Sequence, residues 1–393
     1  MRFFRLRRDS LTLNQLRGAD MKVVYNSFGG RYSDNPRAIY ELLVGRDEGH
    51  NHVWLADPLH LHGFPAGIET VPFGSEECVR ALETADMIVS NTHIELEWTK
   101  APGAEYLQTW HGTPLKHIHF DVFQAPPGRL DYLTIDVKRW DHLISPNEAS
   151  TGPLRQAFGF TGEVAETGYP RNDILVSPHA AEVRASVRRQ FGIPDDKKVV
   201  LYTPTWRDDL LDENGEQDFK LHLDLDEFSE RLGDDHVLLM RLHYMVSGRL
   251  GDIDRPGVFD VSFHPNVSDL YLAADVMITD YSSTMFDFAV TGKPLLFYTY
   301  DLAHYRDTLR GFYFDFHLSA PGPLLHTSTQ IIDALSDLDA VRAQHREAYA
   351  KFQATFAHLE DGGAAARVAD RYFSPGRRGV GATAQTSSSG SVR

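Results

Sequence analysis

The chain has 393 residues, 42% of them hydrophobic and 24% charged, with a net charge of −16 and a single cysteine, Cys78. That length exceeds one ordinary core and predicts two domains, while the acidity argues against general nucleic-acid binding, which needs a basic surface. One cysteine excludes an internal disulfide and a cysteine metal cluster and fits a reducing compartment, and without an apolar run near 18 residues or an apolar signal core, neither a transmembrane helix nor a secretory signal is expected.

In chain order, the first eight residues alternate basic and apolar side chains. They read first as a disordered start, and second as a weak contact with an anionic membrane surface. Strands are predicted over 22–27, 52–55, 87–90, 106–110, 142–145 and 163–167, with helices over 35–44, 76–84 and 148–158. Short apolar strands alternating with helices predict βα units and a mostly parallel sheet covered on both faces. The stretch 168–173 (GYPRND) interrupts the pattern and is a candidate hinge. A helix over 180–191 stops at Gly192 and Pro194. Strands then recur over 199–202, 237–240, 257–259, 276–278 and 294–297, with a helix over 267–273. The acidic loop 208–220 is expected to be mobile. Past Pro323 the chain turns helical, with an apolar stripe of Tyr349, Phe352, Phe356 and Leu359. This divides the chain into a basic segment 1–20, an αβ domain 21–172, a second αβ domain with C-terminal helices 173–372, and a disordered tail 373–393.

Ligands of open parallel sheets bind at the carboxyl ends of the strands. Four polar clusters fall there: 110–116 (WHGTPLK), 203–208 (TPTWRD), 241–244 (RLHY), and the Ser282-Ser283 turn after 276–278. A strand running into a hydroxyl-rich helix start can take a phosphate on unpaired N–H groups. Asp287, one helical turn after Ser283, could accept ribose hydroxyls. Taken alone, Ser282 and Ser283 as simple helix caps is the plainer reading. His111, beside Gly112, has the chemistry of a general base; a lone histidine bonded in a turn is its bland alternative. Arg241 and His243 could give two donors to a diphosphate. Arg207 could act likewise, although Asp208 and Asp209 follow and could neutralise it. His60 and His62, and His117 and His119, have i, i+2 spacing but lack further convergent ligands, so no metal is expected. No G-x-x-x-x-G-K-[ST] and no G-x-G-x-x-G is present.

Five stretches carry a resemblance: 108–116 (QTWHGTPLK), 167–173 (TGYPRND), 202–207 (YTPTWR), 241–243 (RLH) and 279–287 (TDYSSTMFD). In this order, across about residues 20–372, they resemble the successive motifs of CDP-glycerol glycerophosphotransferases, the enzymes of teichoic acid synthesis. The resemblance implies an α/β GT-B fold of two Rossmann-like domains facing a central cleft, acceptor domain first and donor domain second. It implies transfer of glycerol phosphate from CDP-glycerol to a hydroxyl of a lipid-linked acceptor, with release of CMP and with no metal or cofactor. It makes His111 the general base, His243 with Arg241 the holders of the diphosphate, Ser282 and Ser283 phosphate ligands and Asp287 the ribose ligand. Lys116, Arg171, Arg207 and Arg241 would make the cleft basic. The implied setting is the cytoplasm, with peripheral contact at the inner face of the cell membrane as an option. The αβ pattern begins near Lys22 with no helical region before it, so primase and polymerase both stay open. Alternatives are a CDP-ribitol enzyme, a capsule polymer synthase, a nucleotide-sugar glycosyltransferase of the same fold, and a nucleotide-binding scaffold without turnover.

Overall fold

A computed structural model describes residues 21–123, 128–207, 209–215, 218–243, 246 and 255–374. The basic start, nearly all of the expected tail, Asp208 and residues 216–217 of the acidic loop, and Tyr244 lie outside the described residues. So do the expected membrane contact of the first eight residues and the expected disorder of the tail beyond Ser374.

Seven strands form the first sheet: β1 (Lys22–Asn26), β2 (Asn51–Ala56), β3 (Thr70–Pro72), β4 (Met87–Ser90), β5 (Glu105–Gln108), β6 (His142–Ser145) and β7 (Val164–Glu166). Six form the second: β8 (Lys198–Thr203), β9 (His236–Met240), β10 (Val258–Asp260), β11 (Val276–Thr279), β12 (Leu295–Tyr298) and β13 (Leu324–Leu325). Their orders are β3-β2-β1-β4-β5-β6-β7 and β10-β9-β8-β11-β12-β13, and every paired strand is parallel. Central strands such as β4, β9 and β11 are buried along their whole length. That is why they read as unbroken apolar runs rather than alternating ones. The strand order reverses between β1 and β4 in one sheet and between β8 and β11 in the other, which puts a crevice at each switch point. This is the GT-B-like α/β architecture implied by the resemblance.

Several helices start at a capping side chain. Ser75, Asn147 and Asp224 accept from backbone N–H groups of their first turns, and Thr327 with Gln330 forms a complete capping box. The helix Leu338–Phe356 lays Phe352 and Phe356 against Phe286, at ring separations of 5.2 and 4.9 Å. One expectation needs correcting. The helix Ala364–Tyr372, assigned by sequence to the second domain, returns to the first. Its Val368, Ala369 and Tyr372, with Phe373, join Val23, Tyr25 and Trp54 in one core. Arg46 pairs with Asp370 at 2.7 Å across the same contact. The cores change hands in the connector 168–176: Tyr169 belongs to the first and Leu175 to the second.

Candidate active site

Loops leaving β1, β4 and β5 build one wall of the cleft. Gln108 ends β5, and its Oε1 accepts the Trp110 N–H at 2.9 Å while its Nε2 donates to the Thr92 carbonyl at 3.0 Å. Trp110 then takes φ +53°. That left-handed turn costs a non-glycine residue on the order of 1 kcal/mol and persists only where its surroundings hold it. Asn35 does so by donating to the Trp110 carbonyl at 3.0 Å. The turn swings His111 over the end of β4, where its Nδ1 meets the Asn91 carbonyl at 2.6 Å. A carbonyl can only accept, so the proton sits on Nδ1 and Nε2 keeps its lone pair. The ring lies 4.1 Å from that of Trp110 and 5.2 Å from that of Phe28. Burial holds the imidazole down to about 4, more than the Asn91 carbonyl and Asp34 pull it up. His111 is therefore neutral at pH 7, with Nε2 unprotonated and the ring held in one orientation.

The loops after β8, β9 and β11 make the other wall. Arg241 follows β9 and donates through Nη1 to the carbonyls of Val261 and His264, at 3.2 and 2.7 Å. Among the described residues no carboxylate forms an ion pair with it, and burial lowers its guanidinium to about 10. A desolvated cation with only the more distant charges of Asp260 and Asp269 to offset it favours an incoming anion. His243 lies beside Trp206, with ring centroids 5.8 Å apart. Burial, then the positive fields of Lys116, His111, Arg31 and Arg241, push its imidazole down to about 3. Lys116 and His111 of one domain and Arg241 of the other thus lie near enough to His243 for their charges to be felt there. After β11, Ser282 Oγ accepts the Thr284 N–H at 3.3 Å, whereas Ser283 caps nothing. The helix behind them, Thr284–Ala289, is only six residues long.

The two walls touch. A Cβ on Gly112 would lie 2.7 Å from Ser283 Oγ. Residues 115–117 pair with 311–313: Tyr313 N–H donates to the Leu115 carbonyl at 2.8 Å and His117 N–H to the Gly311 carbonyl at 3.1 Å. Lys116 is thereby carried to the second domain, where its Nζ meets Tyr305 Oη at 3.4 Å.

Three expectations change. Arg207 is no cleft cation. Its Nε and Nη2 grip Asp301 at 2.7 and 3.0 Å, and its Nη1 bonds Asp280 at 3.0 Å. Asp280 and Asp301 neutralise it, and the rings of Tyr281, Tyr300 and Tyr305 surround it. Asp287, expected as the ribose ligand, is engaged within the protein. It is buried, and its two oxygens take Arg171 Nη2 at 2.6 Å and Asn172 Nδ2 at 3.0 Å. Arg171 is buried between Asp34 and Asp287, so it adds no free charge to the cleft. Of the other expected residues, Ser283 meets Gly112 next to His111, and the charges of Lys116, His111 and Arg241 are felt at His243.

Sequence reasoning missed Phe28, Asn91, Asp34 and Asn35, which shape the histidine wall, and Arg31, whose charge reaches Arg241 and His243. One signal was available for Arg31. Gly30 precedes it at φ +123°, and a Cβ there would strike the Asp57 nitrogen at 2.1 Å, so a Gly-Gly pair after the first strand marked a close backbone approach. Asn91, a single asparagine after an apolar strand, carries no such signal. Among the described residues no group of three His, Cys, Asp or Glu side chains converges to hold a metal ion.

The model of one protein family, CDP-glycerol:poly(glycerophosphate) glycerophosphotransferase, matches residues 11–374. A teichoic acid glycerol-phosphate transferase of Staphylococcus aureus is 38% identical over 363 residues, covering 89% of this chain and 92% of that one. A teichoic acid poly(glycerol phosphate) polymerase of Staphylococcus epidermidis is 38% identical over 361 residues. The chain spans about half of that polymerase's length, 50%. Among solved structures, the wall teichoic acid polymerase TagF superposes with a TM-score of 0.81 at 37% identity, over 89% of this chain and 88% of that one. Together with the paired Rossmann-like sheets and the histidine-lined cleft, these matches show that the chain belongs to the CDP-glycerol:poly(glycerophosphate) glycerophosphotransferase family.

Proposed function

We propose that this enzyme transfers glycerol phosphate from CDP-glycerol to a hydroxyl of a lipid-linked polyol-phosphate or glycan acceptor and releases CMP. The observation that carries the reading is the His111 Nδ1–H bond to the Asn91 carbonyl, which leaves Nε2 unprotonated on the wall opposite Arg241 and His243. In this mechanism the acceptor hydroxyl attacks the β-phosphorus of CDP-glycerol. A new O–P bond forms, the bridging P–O bond to CMP breaks, and the hydroxyl proton goes to His111 Nε2. Before the donor binds, His111 is a weak base. The donor's diphosphate raises its proton affinity by adding negative charge nearby, so base strength rises as substrate binds. Arg241, His243 and Lys116 take the diphosphate and the charge growing on CMP. Ser282 and Ser283 hydroxyls complete the phosphate contacts. We place the enzyme peripherally, at the inner face of the cell membrane, because the reaction joins a cytoplasmic nucleotide donor to a lipid-linked acceptor; no described helix is long and apolar enough to cross a membrane. The relatives named for glycerol phosphate support glycerol over ribitol in the donor.

The test is CMP release from CDP-glycerol with a short lipid-linked glycerol-phosphate acceptor, beside CDP-ribitol and a UDP-sugar. Acceptor-dependent release from CDP-glycerol is the expected result. Turnover only with the UDP-sugar, or CMP release that ignores the acceptor, refutes the reading.

A further inference from the structure

Three successive carbonyls of the base-bearing loop are each held from below. Asn35 Nδ2 donates to Trp110 at 3.0 Å, Arg171 Nη1 to His111 at 2.6 Å and Tyr169 Oη to Gly112 at 3.2 Å. Two of these donors, Tyr169 and Arg171, sit in the connector between the domains. Arg171 does more than hold one carbonyl. The same Nη1 bonds Asp34 at 2.6 Å, Nη2 bonds Asp287 in the second domain at 2.6 Å, and its own N–H donates to Asn35 at 3.1 Å. Asn172 adds a second bond to Asp287, at 3.0 Å.

We infer that Arg171 is a positioning residue for phosphate transfer, fixing the backbone of His111 through a buried bridge to Asp287 that holds only when the two domains are docked. The inference rests on the reading of His111 as the base. The imidazole has two anchors: Asn91 fixes the ring, and Arg171 fixes the main chain that carries it. A guanidinium is suited to this because its planar fork reaches Asp34, Asp287 and the His111 carbonyl at once. A lysine keeps the charge but cannot span all three. Misplacing a reacting group by about 1 Å can cost on the order of 100-fold in rate. The bridge thus ties alignment of the base to the contact that brings Arg241 and His243 opposite it.

The experiment is a double-mutant cycle on CMP release at saturating acceptor. Arg171→Lys is expected to lower kcat about 10- to 100-fold while KM for CDP-glycerol stays within about 3-fold. In a His111→Ala background the same substitution is expected to change the residual rate by less than about 2-fold, because the group it positions is gone. An equal loss in both backgrounds, the signature of a merely structural residue, overturns the inference, as does an unchanged kcat in the single variant. Should Arg171→Lys fail to fold, Asp34→Asn, which keeps the shape and removes one charge of the bridge, runs through the same cycle with the same two outcomes. A His111→Ala enzyme at full rate overturns the base assignment, and this inference with it; equal losses overturn this inference alone.

Discussion

Gly112 of the first domain presses on Ser283 of the second so closely that a Cβ on Gly112 would lie 2.7 Å from the serine Oγ and 2.9 Å from its Cβ. Gly112 is thus required here by space rather than by an unusual φ. Its side-chain-free face lets the histidine loop and the Ser282-Ser283 turn share one surface. Gly112→Ala is expected to push Ser283 away or open the cleft, and to lower kcat/KM about 10-fold or more, since small displacements of reacting groups are costly. Adding Ser283→Gly removes the obstructing atoms and is expected to recover part of that loss. Steady-state kinetics on the two variants check this; a Gly112→Ala enzyme with wild-type kcat/KM counts against a shared catalytic surface.

The state of His111 predicts an unusual pH profile. Burial lowers its folded pKa from the ordinary 6.5 to about 4. In the proposed mechanism the neutral form is the base, so activity is expected to be lost as pH falls through the folded value, not through 6.5. The acid limb of kcat/KM, which reports the free enzyme, is expected between pH 4 and 5. The limb of kcat is expected at higher pH, because the bound diphosphate raises the imidazole's proton affinity. His111→Ala removes the base and is expected to cost about 10²–10⁴ in kcat. Profiles of both parameters from pH 4 to 8 decide the matter; a kcat/KM limb at 6.5 or above contradicts the buried neutral histidine.

Arg207 and Arg241 look equivalent in sequence, each following a strand of the second sheet, yet opposite results are expected on mutation. Arg207 balances two carboxylates, so Arg207→Met leaves Asp280 and Asp301 without their cation. Breaking such a buried pair costs about 3–5 kcal/mol. Arg241 has no carboxylate in ion-pair contact among the described residues, and Arg241→Met removes a desolvated charge. Its expected signature is a rise of about 10-fold or more in KM for CDP-glycerol, with Tm unchanged or higher, since the lost contact is to a charged ligand worth roughly 1.5–3 kcal/mol. Thermal melts and KM values on the two proteins separate the roles. A lowered Tm for Arg241→Met with unchanged KM would reverse the assignment.

That contrast also marks how far the sequence could be read. Apolar runs buried on both faces announced strands such as β4, β9 and β11, and polar residues after them pointed to His111, Arg241 and His243. Roles set by long-range pairing were hidden. Arg207 is joined to partners 73 and 94 residues away, and Asp287 to one 116 residues away; spacing along the chain says nothing about either. The neighbours Asp208 and Asp209 even suggested a different partner. The edge strands β3 and β13 have three and two residues, too few to show a period. The return of helix Ala364–Tyr372 to the first sheet was invisible for a related reason. Its apolar stripe says that it packs, but not on which domain.

Stability against pH offers a test of the buried groups. Burial lowers His52 and His119 to about 4, as it does His111, and His243 to about 3. Each takes up a proton near 6.5 when unfolded but far lower when folded. Between those values the unfolded chain binds more protons, so stability falls as pH drops from 6.5 toward 4. Glu360 works the other way. Its Oε1 accepts the Tyr169 N–H at 3.0 Å, while Oε2 is buried without a hydrogen-bond partner among the described residues. Burial, against the pull of that bond and with the nearby charge of Asp287, raises the carboxyl to about 8. Its folded form holds a proton that the unfolded form has lost above about 4.5, so its contribution is present below that value and is lost as pH rises through 8. Glu360→Gln keeps the acceptor for Tyr169 and abolishes the titration. The wild-type Tm is therefore expected to fall from pH 7 to pH 5, as four histidines outweigh one glutamate. The gain in Tm of Glu360→Gln over wild type is expected to be small at pH 5 and to grow steadily to pH 8.5. Melting curves at four pH values measure both trends, and a Tm difference that does not change with pH would mean that Glu360 is ionised in the folded protein throughout.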